Sequence, residues 1–561
     1  MNRTLQVAAL VSATTSFSLC AAAQVSSQVP AAQVPAAQGP DLAALLRDRS
    51  VTLVRASKLF VPGKDGADPT YIDGQKHWLI YKDKQIQGIV REPDTPVEIA
   101  QSELAARLVD YSKSHPQSVA VPGFVDADSR WFRNPRDLGD RGADPTASAA
   151  DALETWQEGP EELLTQAGIS VLFVPATLEA QASGKGALVS LASQEPSLLS
   201  EGAMQWRLSS LNTRGSNLTR GDVVKGLASA FDAARKYEEA KEKYEKDLAD
   251  FEKKRKDFLA YYKKNPLKKG EKVEETKSAP APRQQRGRLP QTKEELEQML
   301  QRVPPAMRDQ IRARLEAQMK EAAEAAKKAA GEAAPEKKDD AKTDTKKAPP
   351  KPARPKALPV EAAKEAMLRV LAGKEALRVE VHRADEIRAL VEVLAEEGVE
   401  RVTILGGTEA HMVTKELRSI DATVVLRPET LPATGVDALP EHMAASAKRL
   451  SDEGIRVAFG SAGTKSGRAL PFLAARAVAF GMNEGLALQA LTGNGIEASG
   501  AADIVDPGIV IWSDDPLATT STPVAIVRGR LERKLATPSR SESGAASDKN
   551  TSPKNTSETN K

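Results

Sequence analysis

The stretch Val121-Pro-Gly-Phe-Val-Asp-Ala-Asp-Ser-Arg130 runs from apolar residues through a Pro-Gly turn and a Val-Asp pair into two charged side chains, Asp128 and Arg130. It reads as a buried strand that delivers a carboxylate and a guanidinium from its end. Arginine stays protonated inside proteins and offers no lone pair, so the Arg130 position argues against a divalent metal there.

On the C-terminal side of this strand, helical and buried-strand patterns alternate, as in a β/α barrel. Glu161 to Gly168 reads as a helix stopped by its glycine, followed by the strand Ile169 to Val174. Ala384 to Gly398 is a helix, Val402 to Leu405 a strand, Glu409 to Ser419 a helix and Ala422 to Leu426 a strand. Arg456 to Phe459 closes the series, and Gly485 to Thr492 is a terminal helix. Alternating segments also lie at Val51 to Val61 and at Trp78 to Val90, the latter a hairpin around Asp83-Lys84.

At 561 residues the chain exceeds one ordinary core, and a net charge of only +2 excludes bulk nucleic-acid binding. Arg3, the apolar run Leu5 to Leu19 and Ala21-Ala22-Ala23 predict a signal peptide over residues 1–23, hence export to the periplasm or outside the cell. The single cysteine, Cys20, falls inside that leader, so the mature chain has no disulfide and no thiolate ligand. No later run is apolar enough to span a bilayer. Residues 24–45, with Gln-Val-Pro-Ala-Ala repeated, read as a linker, and residues 536–561 as a disordered tail.

Charge dominates residues 231–359, an insertion in the barrel. Tyr237, Tyr244, Phe251 and Phe258 recur there every seven residues, beside Leu248 and Tyr262, as a one-sided stripe on a long helix that Asn265-Pro266 ends. Such a stripe packs on its own domain or forms a self-associating coiled coil through residues 231–264. Thr292-x-x-Glu295 opens a second helical stretch, Met307 to Ala330 is a third, and Pro335 to Pro359 reads as disordered.

The first strand resembles the opening barrel strand of the amidohydrolase superfamily, PG-[LF]-[IV]-D-x-H-x-H, with Asp128 and Arg130 where that pattern has its two histidines. Leu377-Arg-Val-Glu-Val-His-Arg-Ala-Asp-Glu-Ile387 is similar to the family's V-H-A-H-R-A-D-D-I, with Glu380 at the first ligand position and His382 kept at the second. Thr403-Ile-Leu-Gly-Gly-Thr-Glu-Ala-His411 resembles I-L-H-G-T-E-A, with Gly406 in place of the ligating histidine. In Ala458-Phe-Gly-Ser-Ala-Gly-Thr464, which resembles G-S-D, Ala462 stands for the aspartate that binds metal and accepts the proton. Downstream, Ala487-Leu-Gln-Ala-Leu-Thr-Gly-Asn494 keeps the family's register.

This resemblance implies an α/β fold: a (β/α)8 TIM-like barrel from residues 121–230 and 360–499, a flanking composite β-sandwich from residues 46–120 and 500–535, and the charged helical and disordered insertion. It implies a pocket at Asp128, Arg130, Glu380, His382 and Glu409, with Arg130 paired to Asp128 or Glu380. Of the other histidines, His77, His115 and His442 read as surface or packing residues and His411 as a cap or solvent-facing residue. Ser183-Gly-Lys-Gly-Ala187 lacks the spacing of a phosphate-binding loop and by resemblance is a pocket-wall loop. Ser461 has no His-Asp relay about it.

The changed ligands point to an exported pseudoenzyme that binds a small molecule or protein partner and needs no cofactor. An active hydrolase of cyclic amides or other non-peptide C–N bonds, using zinc or another divalent metal in an altered site, is the alternative from the enzyme class. A scaffold that presents a Lys-rich helical arm to anionic envelope polymers or another subunit is the third reading.

Overall fold

A computed structural model describes residues 41–63, 68–83, 85–93, 103–132, 145–176, 182–193, 195–208, 220–266, 349–428, 443–501 and 505–535. The expected leader, most of the linker, the stretches beginning at Thr292 and Met307, His442 and the C-terminal tail lie outside the described residues. The chain divides into two compact units, 1–123 with 506–561, and 124–505.

In the first unit, α1 (Leu42–Leu46) precedes β1 (Thr52–Arg55), β2 (Lys58–Val61), β3 (Thr70–Asp73), β4 (His77–Lys82), β5 (Gln85–Arg91), β6 (Arg107–Asp110) and β7 (Val119–Pro122). The chain returns to it as β16 (Ile509–Trp512), β17 (Pro523–Arg528) and β18 (Leu531–Lys534). Val51 to Val61 is two strands in different sheets: β1 belongs to the order β5-β4-β1-β6, and β2 to β18-β17-β16-β7-β2-β3. Val54, Leu79 and Val109 of one sheet share a buried core with Leu59, Ala120, Ile511 and Val527 of the other, so alternate residues of both chain ends fill one interior. The β4–β5 hairpin turns at Asp83, whose φ of 51° is the left-handed value that Asp and Asn tolerate.

The opening motif is divided between the units. Val121 and Pro122 end β7, and after Gly123 the second unit begins with β8 (Phe124–Asp126). There follow α2 (Glu161–Ala167), β9 (Ile169–Val174), β10 (Ala182–Ser190), β11 (Ser197–Arg207), α3 (Arg220–Lys264), α4 (Ala362–Leu371), β12 (Leu377–Val381), α5 (Ala384–Glu397) and β13 (Val402–Gly406). The series ends with α6 (Thr414–Ser419), β14 (Thr423–Leu426), α7 (Met443–Asp452), β15 (Arg456–Phe459), α8 (Leu470–Ala479), α9 (Glu484–Leu491) and α10 (Gly493–Ala498). The expected helix Glu409 to Ser419 is a 3-10 turn, Ala410–Met412, and then α6.

Strands β8 to β15 form one eight-stranded sheet in chain order. It nearly closes on itself: Ala127 N–H donates to Phe459 O at 3.1 Å, Ala462 N–H to Asp128 O at 2.7 Å, and Ser129 bridges Gly463 in parallel. It departs from eight β/α repeats at β10, which is antiparallel to both β9 and β11. The segment Ser183 to Ala187, expected to be a loop, lies inside β10. Its Gly186, with Gly202 of β11, makes room for Phe173: a Cβ at either position would stand 2.1 or 2.6 Å from that ring.

A cation sits in the barrel interior. Arg378 of β12 is fully buried, donates to Ala127 O at 2.7 Å and to the α10 carbonyl of Ala498 at 2.8 Å, and lies 3.8 Å over the Phe173 ring. Burial pulls its pKa down to about 10.

The helix that opens the insertion starts earlier than its charge suggests. α3 has 45 residues, and Val224, Leu227, Phe231, Ala234 and Tyr237 in its first half are buried. Arg235 pairs with Glu397 at the end of α5, and Lys241 with Glu365 of α4 at 2.8 Å. The barrel unit therefore includes the first five turns of α3, and Phe231→Ala is expected to lower the unfolding free energy of that unit by about 3–5 kcal/mol in chemical denaturation.

Candidate functional site

The ends of the parallel strands meet at one charged cluster, the end of a barrel where sites are built. Asp128 follows β8, Arg207 ends β11, Glu380 and His382 lie at and after the end of β12, and Arg427 follows β14. Period-two alternation places them: Arg378 and Glu380 face inward from one strand, and the parallel register sets Gln205 and Arg207 beside them.

Arg427 is the hub. Its Nε donates to Asp128 Oδ2 at 2.7 Å and its Nη1 to Glu380 Oε1 at 3.0 Å. Arg207 Nε stands 3.5 Å from the other Glu380 oxygen. All four side chains are nearly withdrawn from solvent, with Asp128 and Glu380 at 1% and 5% exposure. Asp128 Oδ1 has no hydrogen-bond partner among the described residues. Burial alone would raise the Glu380 carboxyl; Arg427, His382 and Arg207 outweigh it and hold the group well below the usual carboxylate range. Burial likewise works against the charge of Arg427, and Asp128 and Glu380 reverse the effect, so its pKa rises.

His382 completes the cluster. Nδ1 is 3.0 Å from Thr408 Oγ1, and Nε2 is 3.8 Å from Glu380 Oε1. Its ring occupies the space above Gly406, where a Cβ would lie 2.4 Å from His382 Cε1, and Gly406 has a φ of 87°.

The other candidates stand elsewhere. Arg130 is exposed, and the expected pairing with Asp128 or Glu380 is made instead by Arg427 and Arg207, because the chain after Asp128 turns to bond Gly463 through Arg130 N–H. Glu409 is half-buried, and its Oε2 accepts the N–H of Ala384 at the start of α5 at 2.9 Å, a capping role. Ala462 is buried with a φ of 48°, and its N–H joins the two closing strands. Nδ1 of His411 lies 3.2 Å from Ser446 Oγ.

Sequence reasoning missed Arg427, Arg207 and Arg378. The available signals were a charged residue directly after the apolar run Thr423 to Leu426, and the alternation Arg378, Glu380, His382 along one strand end. Asp126, two residues before Asp128, was also passed over. Fully buried, it accepts Ser461 N–H at 2.8 Å, Ser461 O–H at 2.5 Å and Asp128 N–H at 3.2 Å, and so staples the first strand to the last. Burial pushes its pKa up to about 6 against these hydrogen bonds.

The donor set does not fit a divalent cation. The point equidistant from Asp128 and Glu380, where a metal would bind both, holds the Arg427 guanidinium, and Arg207 lines the far side of Glu380. Among the described residues no group of three or more His, Cys, Asp or Glu is placed to hold a metal.

Among solved structures, an amidohydrolase from Thermotoga maritima MSB8 superposes at a TM-score of 0.55 with 16% identity, over 86% of this chain and 100% of that one. The chain has the amidohydrolase fold. A prolidase matches at a TM-score of 0.40 and 11% identity, over 87% of this chain and 100% of its own. An A. niger ochratoxinase matches at 0.36 and 12%, over 87% and 99%. No protein-family model and no curated protein matches the chain. An amidohydrolase fold at such identity specifies no chemistry, which has to be argued from the side chains themselves.

Two outcomes follow from the cluster. Arg427→Met takes the guanidinium from between two buried carboxylates, leaving Glu380 to Arg207 and His382 and Asp128 without its ion pair, and is expected to destabilise the barrel unit by about 3–5 kcal/mol at pH 7, with Glu380→Gln in the same chain restoring part of the loss in urea titrations. Asp126 binds its proton more tightly folded than unfolded, so its contribution to stability is fully present below the ordinary aspartate value of 3.8 and is lost as pH rises from there through about 6. The stability of Asp126→Asn relative to the native chain is therefore expected to rise by about 3 kcal/mol between pH 3 and pH 7.

Proposed function

We propose that this chain is an exported member of the amidohydrolase superfamily that has given up metal-dependent hydrolysis and keeps its barrel, with a flanking composite β-sandwich, as a scaffold for binding a small molecule or a protein partner. The carrying observation is the Arg427 guanidinium between the Asp128 and Glu380 carboxylates. A cation supplied by the polypeptide occupies the place that would otherwise call for a metal, and it cannot polarise a water to hydroxide as a metal does.

Three further features support this reading. Gly406 contributes no side chain, and the room beside it is taken by His382. Ala462 contributes a methyl group where the resemblance puts the proton acceptor. Ser461, the hydroxyl beside it, is committed to Asp126, a carboxylate without a histidine relay. Export rests on the N-terminal leader, with cleavage after Ala23.

The test is metal analysis of the purified mature protein together with hydrolysis assays on a panel of cyclic amides, with and without added zinc. Substoichiometric metal and no turnover above background are expected, unchanged by Glu380→Gln. One equivalent of bound metal with turnover that Glu380→Gln abolishes would establish the active hydrolase instead. N-terminal sequencing of the exported protein is expected to begin at Gln24.

A further inference from the structure

Beyond Lys241 the helix α3 continues for six more turns with a single half-buried stripe: Tyr244, Leu248, Phe251, Phe258, Tyr261 and Tyr262. The residues between them are exposed. The bonds that tie α3 to α4 and α5 all lie at or before Lys241. A second segment has a matching regularity. Residues 349–358, which the sequence assigns to a disordered run, alternate with a period of three: Pro349, Pro352, Pro355 and Leu358 are half-buried and the residues between them exposed. Three residues per turn is the repeat of a polyproline II helix, and aromatic grooves are the surfaces on which such helices dock.

The geometry points to an intramolecular rod in which the Pro-rich strand 349–358 lies antiparallel along the aromatic stripe of α3. One end is fixed: Tyr237 O–H donates to Pro359 O at 3.4 Å, and Glu361 N–H donates to the Tyr237 hydroxyl at 3.3 Å. From that anchor, seven helical residues advance about 10.5 Å and three polyproline residues about 9.3 Å. Tyr244 then meets Pro355, Phe251 meets Pro352 and Phe258 meets Pro349. The two repeats stay in step along the whole described strand. Because the strand is tethered to the helix by the Tyr237 anchor, its effective concentration exceeds that of any second copy in solution. Pro266 and Pro349 both then lie at the far tip of the rod.

Cross-linking of the full chain tests this. In a Cys20→Ser background, Tyr244→Cys with Pro355→Cys is compared with Lys246→Cys and Pro355→Cys, Lys246 being exposed on the opposite side of the helix. A second pair, Phe251→Cys with Pro352→Cys against Lys253→Cys with Pro352→Cys, reads the same register should the first variant fail to fold. With a short rigid bismaleimide, the stripe pairs are expected to cross-link within one molecule several-fold more than their controls. Equal yields in stripe and control pairs would overturn the rod. So would products joined only between two molecules, which would assign the stripe to a second copy of the chain.

Discussion

A guanidinium buried between two carboxylates gathers the ends of β8, β12 and β14 at one point, with Arg207 bringing in β11. Removing four ionised groups from water costs several kcal/mol for each, and only close, hydrogen-bonded pairing repays it. The Arg427 contacts of 2.7 and 3.0 Å meet that demand, and the depressed acidity constant of Glu380 records how firmly its anion is held. A carboxylate held between two arginines is a weaker base than a free one.

The barrel interior has a polar floor as well as a polar mouth. Arg378 satisfies itself with main-chain oxygens from the first strand and from the helix that follows the last, and Asp126 ties the same two strands through Ser461. Closure of the sheet thus rests on buried hydrogen bonds in addition to apolar packing. Such bonds matter because an orphan polar group in a low-dielectric interior is costly.

Much of the fold was legible. Long apolar runs such as Ile169 to Val174 and Arg456 to Phe459, and helices stopped by Gly168 or Gly398, carry their own periodicity and punctuation. The hairpin β10–β11 was not read because, of the glycines that suggest a loop, Gly186 makes room for Phe173 and Gly184 for the Ala147 carbonyl. The site was half legible. Asp128, Glu380 and His382 were found because short motifs fix their register, whereas Arg427 lies outside any motif and acts across 299 and 47 residues of sequence. Arg130 misled because a strand was assumed to continue where the chain turns away. The Pro-rich run before α4 misled in another way: composition that cannot build a core can still lie in order along one.

The ring of His382 above Gly406 also constrains history. Any side chain at residue 406 would collide with the imidazole unless the imidazole first moved, and its path is bounded by Thr408 and Glu380. Substitutions at 382 and 406 are therefore not interchangeable in sequence of occurrence. Residue 406 gains room for a side chain only after residue 382 has moved or become smaller, so the imidazole acts as a lock on its neighbour's identity.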